Sequence, residues 1–470
     1  MTESIAMLPK VSMVILSFIL ILVYGESSYS DAGRYRDQVS RLAALRASFN
    51  TRDRISPSPT PISSSSRVLH VTAYGADPTG KLDSTEALQR AIEDAFRDPT
   101  DGFLMEGIAD LGGIQVRLDG GTYKISRPLR LPPTSAGNLM IHGGSLRASD
   151  DFPTDGYLIE LWASSFSVAY EDITLKDLMV DCNHRGGGIA VINSLRTSID
   201  NCYISHFTTN GILVQGGHET YIRNSFLGQH ITAGGDHREK DFSGIGINLM
   251  GNDNAVTDVV IFSASIGVLI SGQANTLSGV HCYNKATGWG GTGIYIRAPG
   301  LTQTRIVNCY LDFTGIVAED PVQLHISSSF FLGNAFVVIK SLKGGLSGVN
   351  IVDNMFSGDY TGVHIVQLDQ TKAPFTAVDQ VVVDRNNVRG MTLKSTTSRG
   401  SIWGNQTTWS VDFSHVLLFP NMIKHVQYTL HAGDHSFPRH ILRNVSGNRV
   451  VVESDVPVSA TLYVTVDQSM

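Results

Sequence analysis

Acid–base chemistry needs carboxylates and a protonatable or cationic partner held close together, and this chain concentrates them in few places. The polar loop His230–Ser243 holds Asp236, His237, Arg238 and Asp241. Two carboxylates so placed could divide the roles of general acid and general base. A charged loop is most often merely solvated, but this one interrupts an otherwise regular repeat, and long insertions in repetitive folds often mark the binding face. Asp236 and Asp241 are therefore the expected catalytic pair, with His237 beside them for binding. Glu319-Asp320 is the densest acidic site in the middle of the chain, yet Pro321 follows it and a turn is the simpler account. Asp181, before Asn183-His184, and Asp253 read as turn residues in the same way. Lys285 and Arg297 are the cations best placed to hold an anionic ligand, the ordinary alternative being surface charge. His206, His218 and His230 have no short metal-ligand spacing, so no metal or other cofactor is expected.

The elements that position these residues can be read from composition and spacing. Of 470 residues 46 are glycine, charged residues are 17% and hydrophobic ones 42%. That is ample core material with few surface charges, which favours β architecture over helical bundles and excludes disorder for the bulk of the chain. The glycines have no three-residue period, so collagen is excluded as well. A net charge of −7 argues against a nucleic-acid or anionic-membrane partner. From Gly188 onward a glycine followed by a β-branched residue recurs at Gly188, Gly211, Gly246, Gly267, Gly293 and Gly315, with gaps of 23, 35, 21, 26 and 22 residues. Between these lies a second series, Ile199-Asp200-Asn201, Ile222-Arg223-Asn224, Ile306-Val307-Asn308 and Ile351-Val352-Asp353. Two or more strands per repeat and no space for an ordinary helix make an all-strand solenoid, a parallel β-helix. The glycines are expected at coil corners, where positive φ or close backbone approach is required. Cys202-Tyr203, Cys282-Tyr283 and Cys309-Tyr310 are expected to share one repeat position as an interior stack. A Cys182–Cys202 bridge between adjacent coils is one option.

The ends are different in kind. Val11–Val23 is an uncharged apolar run after Lys10 and before Gly25, too short to span a bilayer, so residues 1–25 are expected to be a secretory signal peptide. Residues 26–67 contain a helical segment and the Pro/Ser linker Ile55–Arg67. The coils are expected over 68–400, opened by a capping helix at Asp83–Phe96 with Asp83 as N-cap. Residues 401–470 lose the glycine period and read as a C-terminal β region, either final coils or a small β appendix. Two sequons, at Asn405 and Asn444, are candidate N-glycosylation sites of a secreted chain.

Ala73–Asp77 and Asp83–Leu88 resemble the opening strand, turn and capping helix of the pectin-lyase-like superfamily. Gly211–Gly228, Asn252–Thr257, Ser278–Thr287 and Val317–His325 are similar to plant quartet-three-type polygalacturonases. The resemblance implies a right-handed parallel β-helix and a monomeric secreted enzyme of the plant cell wall. The implied activity is hydrolysis of α-1,4-galacturonan, with the pectic polysaccharide as the only partner and no membrane association after signal cleavage. The usual motifs of polygalacturonases are only partly kept. Asn210 stands where the first carboxylate would be, Gly235-Asp236-His237 stands near the paired aspartates, Ala264–Gly267 lacks the histidine, and Tyr295-Ile296-Arg297 keeps one cation.

Hydrolysis requires two carboxylates, about 6.5–9.5 Å apart in an inverting enzyme, a spacing that neighbouring or next-neighbouring coils supply. The residues alone leave two other readings open. One is a Ca²⁺-dependent lyase with Arg297 or Arg305 as the base, and the other is a non-catalytic wall-polysaccharide binder.

Overall fold

The computed structural model describes residues 67–162, 169–229, 242–284, 288–433 and 437–469. The expected signal peptide, the helical segment that follows it and all but the last residue of the linker lie outside the described residues.

The period predicts coils, and coils are what form. Each middle coil lays one strand into a ten-stranded sheet, turns a corner, and lays two short strands into a 24-stranded sheet. Thr292–Ile296, Thr304–Val307 and Tyr310–Asp312 make up one such coil. Pairing between successive coils is parallel and in register, and the winding is right-handed, as nearly all parallel crossovers are.

Inward residues stack into continuous columns. Ile189, Ile212, Ile247, Val268, Ile294, Ile316 and Val337 pair in sequence along the ten-stranded sheet. All seven are fully buried. Ile199, Ile222, Val256, Leu277, Ile306, Ile326 and Ile351 form a second column on the other sheet. Each such side chain contributes about 1.5–3 kcal/mol by burial, so the stack as a whole holds the coils together. Two inward asparagines form a hydrogen-bonded ladder between coils. Buried Asn254 donates to Asn275 Oδ1 at 3.1 Å, and Asn275 in turn donates to the Gly251 and Gly272 carbonyls.

The recurring glycines have a different place from the one spacing suggested. Gly188, Gly211, Gly246 and Gly267 lie within strands of the ten-stranded sheet, and the need there is close approach between coils. A Cβ on Gly267 would stand 2.4 Å from the Gly293 carbonyl oxygen, and one on Gly246 2.6 Å from that of Gly267. The corners are built largely by residues with short polar side chains in the left-handed region, among them Asn201, Asn224, Asp258 and Asn308 with φ between 50 and 55°.

The open end is covered by the α-helix Thr85–Ala95, which buries Ala87, Leu88, Ala91, Ile92 and Ala95. Its N-cap is Ser84 and not Asp83. Ser84 Oγ instead accepts from the Asp77 amide at 2.9 Å, while Asp83 Oδ1 accepts from the Thr85 amide at 3.0 Å. From Thr397 the chain leaves the coil pattern for a four-stranded antiparallel sheet around Arg449–Asp467, with its own core of Trp409, Phe413, Val450, Val452, Leu462 and Val464. Asn405 and Asn444 both lie exposed on this sheet.

The Cys182–Cys202 bridge is corrected by register. Tyr203 pairs with Met179 and Ser205 with Asp181, which sets Cys202 beside Leu178 and Cys182 beside His206. The two cysteines are thus four positions apart along the strand, about 13 Å, beyond the reach of a disulfide. Both are free and buried. Cys202 and Cys309 share one repeat position, but Cys282 does not. Cys282 pairs with Ile261 and Leu311, whereas Tyr310 pairs with His281 and so puts Cys309 beside Val280. Burial pushes the Cys202 thiol up to about 12 and that of Cys309 to about 11, which leaves them apolar fillers.

Candidate active-site face

Five consecutive strands of the ten-stranded sheet, Gly187–Ile192, Asn210–Gln215, Ser243–Leu249, Ala264–Ile270 and Thr292–Ile296, contain no Asp or Glu. Their outward positions form a column of Ala190, Leu213, Asn248, Leu269 and Tyr295. Among the described strands of this sheet, carboxylates occur only beyond those five. At one side Glu160 is held by Arg130 at 2.7 Å and by the Tyr157 amide at 3.1 Å. At the other side Glu319 lies one coil after Arg297.

Glu319 is 8% exposed and is clamped from two sides. Tyr295 donates its hydroxyl to Glu319 Oε1 at 2.6 Å, and Lys340 Nζ stands 3.4 Å from the same oxygen. Burial and the Glu319 carboxylate both push the Tyr295 phenol up. Partial burial acts to lower the Lys340 ammonium, but Tyr295 and Glu319 outweigh it and hold its pKa above the usual value. Register continues this line through Arg297, Glu319, Lys340 and Asp369, one charged residue per coil. Asp320, next in sequence, does what the turn reading expects and accepts from the Leu342 and Lys343 amides at 3.0 and 2.7 Å. Glu319 does not. It ends a strand with its side chain on the outer face, a distinction that only the strand boundary reveals.

Arg297 follows the last residue of Thr292–Ile296 and is exposed. It lines a cavity of about 440 Å³ together with Asn252, Ser271, Gln273 and Leu301. No described residue forms an ion pair with its guanidinium, a group suited to an anionic ligand.

Asp236, His237 and Asp241 lie outside the described residues, as does Lys285. Of the strands that flank them, Asn210 pairs with Ile245, and Ile245 with Ile266, so the coil equivalent of Asn210 is Ile245. In the sequence the loop precedes the strand Ser243–Leu249 and the segment with Lys285 precedes Thr292–Ile296, so both come before the N-terminal ends of their strands. Arg297 stands at the opposite, C-terminal ends.

A titratable cluster that sequence reading passed over lies on the coil before the loop. His206 Nδ1 is 2.8 Å from Asp181 Oδ1, and the His184 and His206 rings are 4.6 Å apart. The backbone amide of His206 donates to the Gly228 carbonyl, two residues before the loop opens. Burial works to raise the Asp181 carboxyl, but hydrogen bonds from His206 and the Asn183 amide hold it below its usual value. The Asp181 turn reading survives in that Asn183 bond, while the pairing with His206 came from coil register and could not be read from spacing. His218, by contrast, pairs with Asp253 at 3.2 Å at the exposed surface. Among the described residues no group of three or more His, Cys, Asp or Glu is arranged to hold a metal ion.

Comparison with known proteins places this geometry in context. Polygalacturonase QRT3 of Arabidopsis thaliana is 63% identical over 458 residues, spanning 96% of this chain and 95% of that protein. No family model matches the chain. Among solved structures, two of the Streptococcus pneumoniae surface adhesin PfbA are similar in fold. One has a TM-score of 0.51 at 14% identity over 71% of this chain and 90% of that one. The other has 0.50 at 14% identity over 70% and 94%.

Proposed function

The chain belongs to the polygalacturonase family, and from that premise we propose that it hydrolyses the α-1,4-galacturonan backbone of pectin in the plant cell wall. The observation that carries this reading is identity of 63% sustained over 96% of the chain. The charge distribution on the ten-stranded face supports an account of how it would work. Hydrolysis needs one carboxylic acid to protonate the leaving oxygen and a second carboxylate to activate water. The five central strands supply none. Of the carboxylates flanking them, Glu160 is held by Arg130 and Glu319 by Tyr295 and Lys340, so we assign the acids to the loop His230–Ser243, as Asp236 and Asp241. Arg297 and Lys285 pair with galacturonate carboxylates, and His237 helps to hold the sugar. An inverting course follows if the two carboxylates stand far enough apart to admit a water between them and the sugar.

The same reading includes export through the signal peptide 1–25, action as a monomer, and N-glycosylation at Asn405 and Asn444. Both asparagines are exposed, as glycan attachment requires.

The test is to assay the purified protein on de-esterified pectin beside Asp236→Asn. New reducing ends without the ultraviolet absorbance of an unsaturated uronate are expected from the wild type. An unsaturated product would sink hydrolysis in favour of β-elimination. Binding without either signal would leave only a polysaccharide binder. Full activity in Asp236→Asn would remove that residue from the site.

A further inference from the structure

The corner between Ile296 and Thr304 separates two hollows in the surface. On one side lies the cavity around Arg297. On the other, on the outer face of the 24-stranded sheet, lies a groove of about 460 Å³ lined by Gln303, Arg305, Gln323, His325, Asn350 and Gln380, among others. No carboxylate lines it.

Register explains how the groove is built. Arg305, His325 and Asn350 occupy one outward column on three successive coils, about 4.8 Å apart. Beside them runs a column of left-handed residues, Gln303, Gln323, Gly348 and Gln380, with φ of 42, 58, 63 and 51°. Gln303 Nε2 donates to Gln323 Oε1 at 3.0 Å, which fixes the two amides relative to each other.

Earlier coils put different chemistry in that same column. There the left-handed residues are Arg196, Glu219 and Asp253, and their charges are spent on neighbours. Arg196 bonds Glu219 at 3.0 Å and also pairs with Glu171, while Asp253 takes His218. The arginines show the same division. Of the described ones between residues 187 and 396, Arg196, Arg223 and Arg385 are in ion pairs and Arg389 bonds Tyr360. Arg297 and Arg305 remain without an ion-pair partner among the described residues. Asp353, whose carboxyl feels the charge of His325, is engaged by both ends of Arg385 at 2.9 and 3.0 Å.

A groove with one uncommitted guanidinium, a ring of amides and an imidazole, and no carboxylate suits an acidic sugar. The guanidinium takes a carboxylate in bidentate fashion, and amides both donate to and accept from ring hydroxyls. We propose that this groove is a second binding site for a uronate oligosaccharide, in which Arg305 holds the carboxylate and Gln323, His325 and Asn350 hold hydroxyls. The choice of a galacturonate as that sugar rests on the polygalacturonase reading. The site holds a polymer chain on the enzyme between cleavages, raising its effective concentration at the first face.

The experiment titrates the full-length enzyme calorimetrically with an S-linked trigalacturonate, which resists hydrolysis, and with neutral galactotriose as a control. Two trigalacturonate sites per chain are expected in the wild type and none for galactotriose. Arg305→Gln should weaken one of the two by about tenfold or more, Arg305→Lys should weaken it less because a point charge cannot bind bidentately, and Arg297→Gln should weaken the other. His325→Ala should act on the Arg305 site alone, and Arg223→Gln, at a committed surface arginine, should alter neither. One site, or two that Arg305→Gln leaves unchanged, would overturn the proposal. Hydrolysis of pectin by the wild type is scored separately, so a hydrolase with a single site refutes only the second site. A two-site binder without hydrolysis refutes only the catalytic reading.

Discussion

The two outer faces of the coils share one backbone and one register, yet they offer opposite chemistry. On the ten-stranded face a charge cluster with a carboxylate at its centre, Tyr295, Glu319 and Lys340, lies next to Arg297. On the 24-stranded face the groove around Arg305 carries amides, one imidazole and one cation, with no proton donor or acceptor of carboxylate type. In the reading proposed above a loop completes the first into an acid–base site, while the second, with no carboxylate in its lining, binds sugar without hydrolysing it. The difference teaches that in a solenoid the strands set where a side chain stands, while the identity of the outward columns sets what each face does.

The largest expected effect tests whether chemistry is confined to the first face. Asp241→Asn should lower kcat on polygalacturonate by about 10²- to 10⁴-fold, the usual contribution of a positioned general acid or base, with no change in melting temperature. Retention of wild-type kcat would mean that the acids are elsewhere.

Next comes the scaffold that both faces share. Gly267→Ala places a methyl group 2.4 Å from the Gly293 carbonyl and 2.8 Å from Cys282 Sγ. It should cost about 1–3 kcal/mol in a denaturant titration, as overpacking does. An unchanged midpoint would show that the coils can slide apart more freely than their register suggests.

Arg297→Gln should raise KM on polygalacturonate by about tenfold and leave kcat less affected, matching the loss of one charged hydrogen-bonding contact. A fall in kcat with unchanged KM would instead place Arg297 at the reacting bond. The smallest effect belongs to a committed surface pair. Arg223→Ala breaks the 3.3 Å pair with Asp200 and should change stability by less than about 1 kcal/mol in the same titration. A larger loss would show that ion pairs along the coil edge act as a network.

Much of the fold was legible before any coordinates, because an apolar residue at a fixed place in each repeat can only be buried by stacking on its neighbour. Ile199, Ile222, Ile306 and Ile351 were visible as a series and do form one column, and the stripe Leu88, Ala91, Ile92 and Ala95 marked the capping helix. Arg297 was legible as a cation kept at the end of a strand. The site around it was less so. Glu319 and Asp320 are adjacent in sequence and looked alike, but one ends a strand facing outward and the other caps a turn. His206 and Asp181 are 25 residues apart, and only the coil register brings them to hydrogen-bonding distance.

The sequence by itself determined that the chain winds into stacked strands, since its apolar period, its helix-free repeats and its sparse charge admit little else. It also determined the family, through long runs of specific residues. What only the tertiary structure decided is which residues stand side by side. Coils here differ in length, so counting along the chain does not fix register; interstrand hydrogen bonds do. That is why the Cys182–Cys202 bridge failed by four positions, why the repeating glycines proved to be points of close coil contact, and why Arg305, His325 and Asn350 were revealed as neighbours.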